Sequence, residues 1–329
     1  MIYNKKLLIL IKKLLKKLYK DYLRKKEMLN TDPYNYNLIK ELSRITKYTN
    51  GFLKINDIHP DYFFGAKYFN ANDCDDINIL IEKMNIFDEN HFINIVDYKL
   101  NLQEQITTNS LSDNSPYPLF TYVNEAKFKL PTYRYFFKLY SLFIDDLGKK
   151  EIKTKFKKYL IDKFISKICN TKIFIYLFYI LQHKKIIKHY CDLPEYIYNL
   201  WFKSYSKIGI DDSSLFEHMF IGEKSRNNIS GFHNWIKFYN EEKIGKMNYF
   251  GYIKYIKNII FIKFSWEEQI KVIGSFFIGT SIEFEIAFYT LLYVYSENKE
   301  KIEIIYQNDN INFKLIKRDG NLITVYPLT

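Results

Sequence analysis

The sequence predicts an α+β fold, a mainly helical N-terminal lobe followed by a β-rich lobe built from antiparallel sheets. Three observations carry this. Apolar residues recur at helical spacing from about Pro33 to Tyr205, short β-rich runs take over after Lys207, and Asp319-Gly320 between two such runs is a strong hairpin signal. Residues 1–36 are a basic amphipathic leader. Leu7, Leu8, Ile11, Leu14, Leu15, Leu18 and Tyr22 recur every three or four positions with lysines between them. Residues 37–206 form the helical lobe. Leu38, Leu42 and Ile45 share one helical face, and longer stretches follow around 131–147 and 152–188. Between them Thr107 to Pro118, with Ser, Asn, Asp and two prolines, is the clearest linker-like stretch. Residues 207–329 form the second lobe. Its β-rich runs are Ile259 to Phe264, Ile302 to Tyr306, Ile311 to Ile316 and Leu322 to Tyr326, with one helix after Gly231 and another from Ser281. The Ser281 hydroxyl can cap that second helix, with Glu283 and Glu285 placing negative charge near its positive end. A type I′ turn at Asp319-Gly320 puts Thr324 and Tyr326, two residues apart, on one face of the last strand.

With 329 residues, 47% of them hydrophobic and 26% charged, the chain can bury a large core and is neither disordered nor collagen-like. A net charge of +12 favours polyanions or an anionic membrane as partners. Only Arg24, Arg44, Arg134, Arg226 and Arg318 are arginines. The lysine excess, with abundant Asn, Ile, Tyr and Phe, equally fits A/T-rich codon usage and a solvated surface. The leader is where charge concentrates, with ten basic side chains against Asp21 and Glu27 in residues 1–30. Such a helix suits anionic lipid or RNA phosphates; it equally suits a basic helix packed on its own domain, or a targeting segment removed later. Cys74, Cys169 and Cys191 are odd in number and lack CxxC spacing, against a disulfide framework or a cysteine zinc site. The run Leu7 to Ile11 ends at Lys12-Lys13, far short of the ~20 residues of a membrane span and shorter than a secretory core. A soluble protein is expected, with the cytoplasm favoured.

Two histidines stand in the β-rich half, His218 and His233. Imidazole gives and takes a proton near neutral pH, so a pair can serve as acid and base in one reaction. Spacing alone does not separate them from His59, His91, His183 and His189. Their surroundings do. Phe216-Glu217-His218, Ile221-Gly222-Glu223 and Ser230-Gly231-Phe232-His233-Asn234-Trp235-Ile236 are followed in order by Asn248-Tyr249, Gly251-Tyr252, Phe264-Ser265-Trp266, Lys271, Gly274-Ser275, Ile278-Gly279-Thr280-Ser281, Glu283-Phe284-Glu285 and Tyr289-Thr290. Upstream stand Pro118-Leu119-Phe120-Thr121-Tyr122-Val123, Pro131-Thr132-Tyr133 and Asn199-Leu200-Trp201-Phe202. This ordered set resembles the EndoU family, the poly(U)-specific endoribonucleases, over about residues 37–329.

The resemblance implies an EndoU-like α+β domain whose 207–329 lobe is catalytic. It implies cleavage of single-stranded, U-containing RNA by the ribose 2′-hydroxyl, giving 2′,3′-cyclic phosphate and 5′-hydroxyl ends. By the same resemblance His233 is the base, His218 the acid and Lys271 the cation on the phosphorane, while Ser275, Thr324 and Tyr326 hold uracil and ribose. Glu217 and Glu223 flank His218 as supporting carboxylates and as candidate ligands for Mn²⁺ or Ca²⁺, which the family suggests and the chemistry itself does not require. The competing reading of Glu223 is a carboxylate that only orients an imidazole. Leu215 stands where the family usually has Gly, Ile282 where it has Pro, and the segment between Tyr252 and Ile259 is short. Leu215 does not readily take a positive φ, so a differently shaped approach to His218 is expected. The alternative function is a catalytically weak module on the same scaffold that docks RNA or an anionic membrane through the leader. Intact His218, His233 and Lys271 argue against it, and no protein partner is implied.

Overall fold

In the computed structural model the described residues are 68–328, apart from positions 111, 210, 226, 227, 298 and 319. The leader and the Leu38, Leu42, Ile45 pattern lie outside them. Helix α1 (Ile77–Phe87) starts where the Asp76 carboxylate accepts the Asn78 N–H at 2.8 Å, and it buries Leu80, Ile81, Met84 and Phe87. Helix α2 (Pro131–Tyr140) opens on proline, where a missing N–H costs nothing. The expected helical run over 152–188 divides into α3 (Lys155–Cys169) and α4 (Lys172–His183), which meet at an 86° bend, with α5 (Leu193–Trp201) after them.

Among the described residues of 88–130 there is no α-helix, against expectation, only a short 3-10 turn at Glu125–Lys129. They carry the antiparallel pair β1 (Tyr98–Leu100) and β2 (Phe120–Val123). Asp97 accepts the Ile93 N–H at 3.0 Å, a local bond that competes with a helical backbone, and also the side-chain amide of distant Asn124 at 2.8 Å. Helix α2 also stops short of residue 147, because the Ile144 N–H turns away to the Glu151 carboxylate at 2.9 Å. The stretch Thr107 to Pro118 is irregular but is no linker. Its Asn114 N–H, and that of neighbouring Ile106, bond Phe250 and Tyr252 carbonyls, and buried Lys263 bonds the Ser110 carbonyl.

The rest is the expected β-rich part. A hairpin of β3 (Glu223–Ser225) and β4 (Asn228–Ser230) precedes α6 (Trp235–Lys243). Strands β5 (Met247–Ile256), β6 (Ile259–Trp266) and β7 (Gln269–Phe277) form one antiparallel sheet with β6 central, and β8 (Lys301–Tyr306), β9 (Asp309–Arg318) and β10 (Asn321–Pro327) form another with β9 central. Arg318 pairs with Asn321 across the expected two-residue connection, in which Gly320 has φ +75°. Ile256 pairs with Ile259, so the short segment before Ile259 is a tight hairpin.

Helix α7 (Ile282–Ser296) joins the two parts. It packs on α1, α2, α4 and β8, and one buried apolar cluster runs from Cys74 to Val325. Ser281 caps it as expected, its hydroxyl accepting the Phe284 N–H at 3.0 Å, and Ile282 takes the first helical position. Glu283 and Glu285 correct the expectation of charge at the helix end. Both are buried, and burial pushes Glu283 up to about 7 and Glu285 well above the usual carboxylate range. They act as core hydrogen-bond partners. The Glu285 carboxyl takes the Thr280 hydroxyl at 3.0 Å and the Asn234 amide at 3.3 Å. Among the described residues no single helix is long and apolar enough to cross a membrane.

Candidate active site

Residues Glu217–Ile221 form one π-helical turn, closed by the Gly222 N–H on the Glu217 carbonyl at 2.9 Å. Such turns occur often at functional sites. Leu215 enters this turn with helical backbone and is not among the positive-φ residues, so its side chain fits without strain. The loop before α6 crosses the turn and is stitched to it by main-chain bonds, Phe232 N–H to His218 O at 2.9 Å and His233 N–H to Met219 O at 2.7 Å. Gly231 permits that approach. Its φ is +65°, and a Cβ there would lie 1.9 Å from the His218 carbonyl oxygen. The result is two buried imidazoles with ring centroids 6.2 Å apart, from a turn and the loop that crosses it.

Each ring is held by Nδ1, and the partners differ. His233 Nδ1 lies 2.8 Å from the Ser275 carbonyl on β7. A carbonyl only accepts, so Nδ1 carries the proton and Nε2 has a free lone pair. His218 Nδ1 lies 2.9 Å from Glu223 Oε2, a carboxylate that favours imidazolium. Lys271 Nζ donates to the Ile229 carbonyl at 3.0 Å. Burial lowers the pKa of both histidines. For His218 the Glu223 bond opposes it, while His233 falls well below the ordinary value because the Lys271 and His218 charges add to burial. Burial, then the Lys207 charge, brings Lys271 down to about 8. Burial would raise Glu223, but its bond to His218 and the nearby His218 and Lys207 charges prevail and hold it below its usual value. Several cationic groups thus surround one carboxylate, a setting that suits a phosphodiester.

Sequence reasoning missed Lys207. Its ammonium bonds Glu223 Oε2, reaches the Ser230 hydroxyl at 2.9 Å and lies 3.0 Å from His218 Nδ1. Asp212 fixes the Lys207 loop by accepting the N–H groups of Lys207, Ile208 and Gly209 at 2.6, 3.0 and 2.8 Å. One lysine among so many gives no signal of its own. The turn-forming Gly209 and Asp212 just before Ser213-Ser214 were the available hint.

The remaining expected residues gather at His233 and Met219. Tyr326 stacks on His233 with centroids 5.6 Å apart and planes 2° from parallel, and the Thr324 hydroxyl donates to Met219 Sδ at 3.5 Å, so both face the site. Ser275 is buried, and its main-chain carbonyl is the one that faces His233 Nδ1. Glu217 does not join them. Burial, with Glu151 and Glu223 nearby, pushes it up to about 10, so it is protonated near neutral pH and hydrogen-bonds Glu151. Glu217 and Glu223 therefore do not fit a shared Mn²⁺ or Ca²⁺ site. The Glu217 carboxyl is turned to Glu151, and Oε2 of Glu223 already holds an ammonium and an imidazole. Among the described residues no group of three or more His, Cys, Asp or Glu could hold a metal.

The family model described as Endoribonuclease XendoU matches residues 76–327. A Homo sapiens uridylate-specific endoribonuclease is 36% identical over 207 residues, 60% of this chain and 50% of the relative, so the chain spans half the length of that relative. A Xenopus tropicalis poly(U)-specific endoribonuclease is 32% identical over 260 residues, 73% of this chain and 89% of that protein. The solved structure of XendoU, described as a splicing independent snoRNA processing endoribonuclease, superposes with TM-score 0.67 at 28% identity, covering 77% of this chain and 96% of its own.

Proposed function

The chain belongs to the XendoU endoribonuclease family, and from that premise we propose that it is an enzyme that cleaves single-stranded RNA at uridylates. The 2′-hydroxyl of the uridine attacks the neighbouring phosphorus, leaving a 2′,3′-cyclic phosphate and a 5′-hydroxyl. His233 Nε2 takes the hydroxyl proton, because its other nitrogen is committed as a donor to the Ser275 carbonyl. His218 protonates the leaving 5′-oxygen, and Glu223 at its Nδ1 favours the imidazolium that this requires. Lys271 stabilises charge on the phosphorane oxygens. Lys207 keeps Glu223 ionised and in place. Ser275 and Thr324 read the uracil edge, and the Tyr326 ring packs on the nucleotide beside His233.

One observation carries this reading: two buried imidazoles 6.2 Å apart whose Nδ1 atoms face a carbonyl in one case and a carboxylate in the other. That asymmetry suits a base and an acid. Catalysis falls to the 207–329 lobe, and the basic leader of residues 1–36 docks long RNA or an anionic membrane surface. The test is cleavage of U-containing and U-free oligoribonucleotides with identification of the ends. Cyclic phosphate and 5′-hydroxyl ends at uridines are expected, with losses of about 10² to 10⁴ in His218→Ala and His233→Ala. Cleavage independent of uridine, or 5′-phosphate ends, overturns the proposal.

A further inference from the structure

A cleft of about 830 Å³ opens between the first half of α3, the end of α5 and residues 203–214. Its floor is apolar, with Phe143, Ile161 and Phe202. Its walls are aromatic and basic, combining Tyr159 and Tyr198 with five lysines against the three acids Glu151, Asp162 and Asp211. Three of the lysines are matched. Buried Lys157 pairs with Glu151, Lys153 with Asp211 at 2.7 Å, and Lys158 with Asp162 at 2.7 Å while its ammonium sits 3.7 Å from the Tyr198 ring centre. Lys155 and Lys203 are exposed and have no acidic partner among the described residues. Tyr159, 52% exposed, lies one helical turn from Lys155 on the same face of α3. The positive end of the α3 dipole borders the same space.

The cleft adjoins the catalytic turn. Ser214 lines it, and that residue's carbonyl accepts the His218 N–H at 2.9 Å while its hydroxyl takes the Glu217 N–H at 3.3 Å. We propose that this cleft is a second binding site for single-stranded RNA, taking nucleotides outside the one that is cut. Lys155 and Lys203 meet its phosphates, and Tyr159 offers a face to a base. Unmatched cations beside an exposed aromatic ring are the chemistry that holds single strands without regard to sequence. The inference deepens the endoribonuclease reading and rests on it for the identity of the ligand.

The full-length chain is tested on a uridine-containing dinucleotide and on a 20-nucleotide RNA with one central uridine, over a range of salt. Wild type cuts both. The double variant Lys155→Glu with Lys203→Glu keeps dinucleotide kcat/KM within about twofold and loses about tenfold on the long RNA, with a shallower salt dependence. The slope drops by about 1.4, since each phosphate contact on a single strand contributes roughly 0.7. Tyr159→Ala weakens the long RNA alone and leaves the slope unchanged. Identical long-RNA values and slopes in wild type and double variant overturn the inference, and so does an equal loss on both substrates. If wild type cuts neither RNA, the endoribonuclease reading fails instead. Anisotropy of the labelled 20-nucleotide RNA then still decides the cleft, which requires weaker, less salt-sensitive binding by the double variant.

Discussion

Replacing Gly231 by alanine tests the main-chain seam that brings the two imidazoles together. At φ +65° an alanine costs about 1 kcal/mol from backbone strain alone. Its Cβ would also lie 1.9 Å from the His218 carbonyl oxygen, a main-chain atom that no rotamer change moves aside. The loop and the π turn have to separate, weakening the Phe232 to His218 and His233 to Met219 bonds, now 2.9 and 2.7 Å, at about 1 kcal/mol each. The expected loss is about 3 kcal/mol. A displacement near 1 Å between acid and base should also lower kcat/KM by about 10². The control is Gly245→Ala, with φ +74° and nothing within 4 Å of the added Cβ, so that only the strain applies. Urea unfolding followed by the fluorescence of buried Trp201, Trp235 and Trp266 reads stability, and a uridine oligonucleotide reads activity. If Gly231→Ala matches Gly245→Ala in both, the seam does not hold the site together.

Other outcomes follow from the charges and contacts around it. The pH profile of kcat/KM should rise as His233 deprotonates well below 6.5 and fall as His218, also depressed, loses its proton, which places the optimum on the acid side of 6.5. A further decline near pH 8 should mark loss of the Lys271 charge, and a profile flat to pH 9 contradicts both assignments. Lys207→Met should lower kcat/KM and move the alkaline limb upward, because the Lys207 cation disfavours protonated His218; a lower rate with an unmoved limb would make Lys207 merely structural. Ser275→Ala or Thr324→Ala should each reduce the preference for U over C by about fivefold, near 1 kcal/mol for a hydrogen bond, whereas Tyr326→Ala should slow every substrate. Equal losses on U and C in the two hydroxyl variants would remove their base-reading role.

The residues that meet in the candidate site, His218, His233 and Lys271, were legible because the residue types around them stand in a fixed order, which chance does not supply over such a length. Strands β6, β8, β9 and β10 were legible from apolar patterning, helped by the Asp319-Gly320 turn between the last two. Strands β5 and β7 were not, since Asn248, Gly251 and Lys254 in one and Gln269, Lys271 and Gly274 in the other interrupt any period. The lack of an α-helix among the described residues of 88–130 goes with Asp97 bonding a main-chain N–H nearby and the Asn124 side-chain amide far along the chain, and helical spacing carries no trace of that. Lys207 was hidden for a related reason. Its role arises from where Asp212 holds a loop, a tertiary fact. Glu283 and Glu285 misled in the opposite direction, since capping logic makes them charges at the helix start, where they do stand, while α7 is buried on nearly every side and burial raises both.

The most direct measurement uses an RNA whose only uridine is replaced by 2′-deoxyuridine, set beside the all-ribose parent. Internal attack by the 2′-hydroxyl between His233 and His218 predicts that the parent is cut to a 2′,3′-cyclic phosphate and a 5′-hydroxyl while the deoxy substrate stays whole. Cleavage of the deoxy substrate, above all with 5′-phosphate ends, would mean that water is the nucleophile, and the roles of His218, His233 and Lys271 would fall with it.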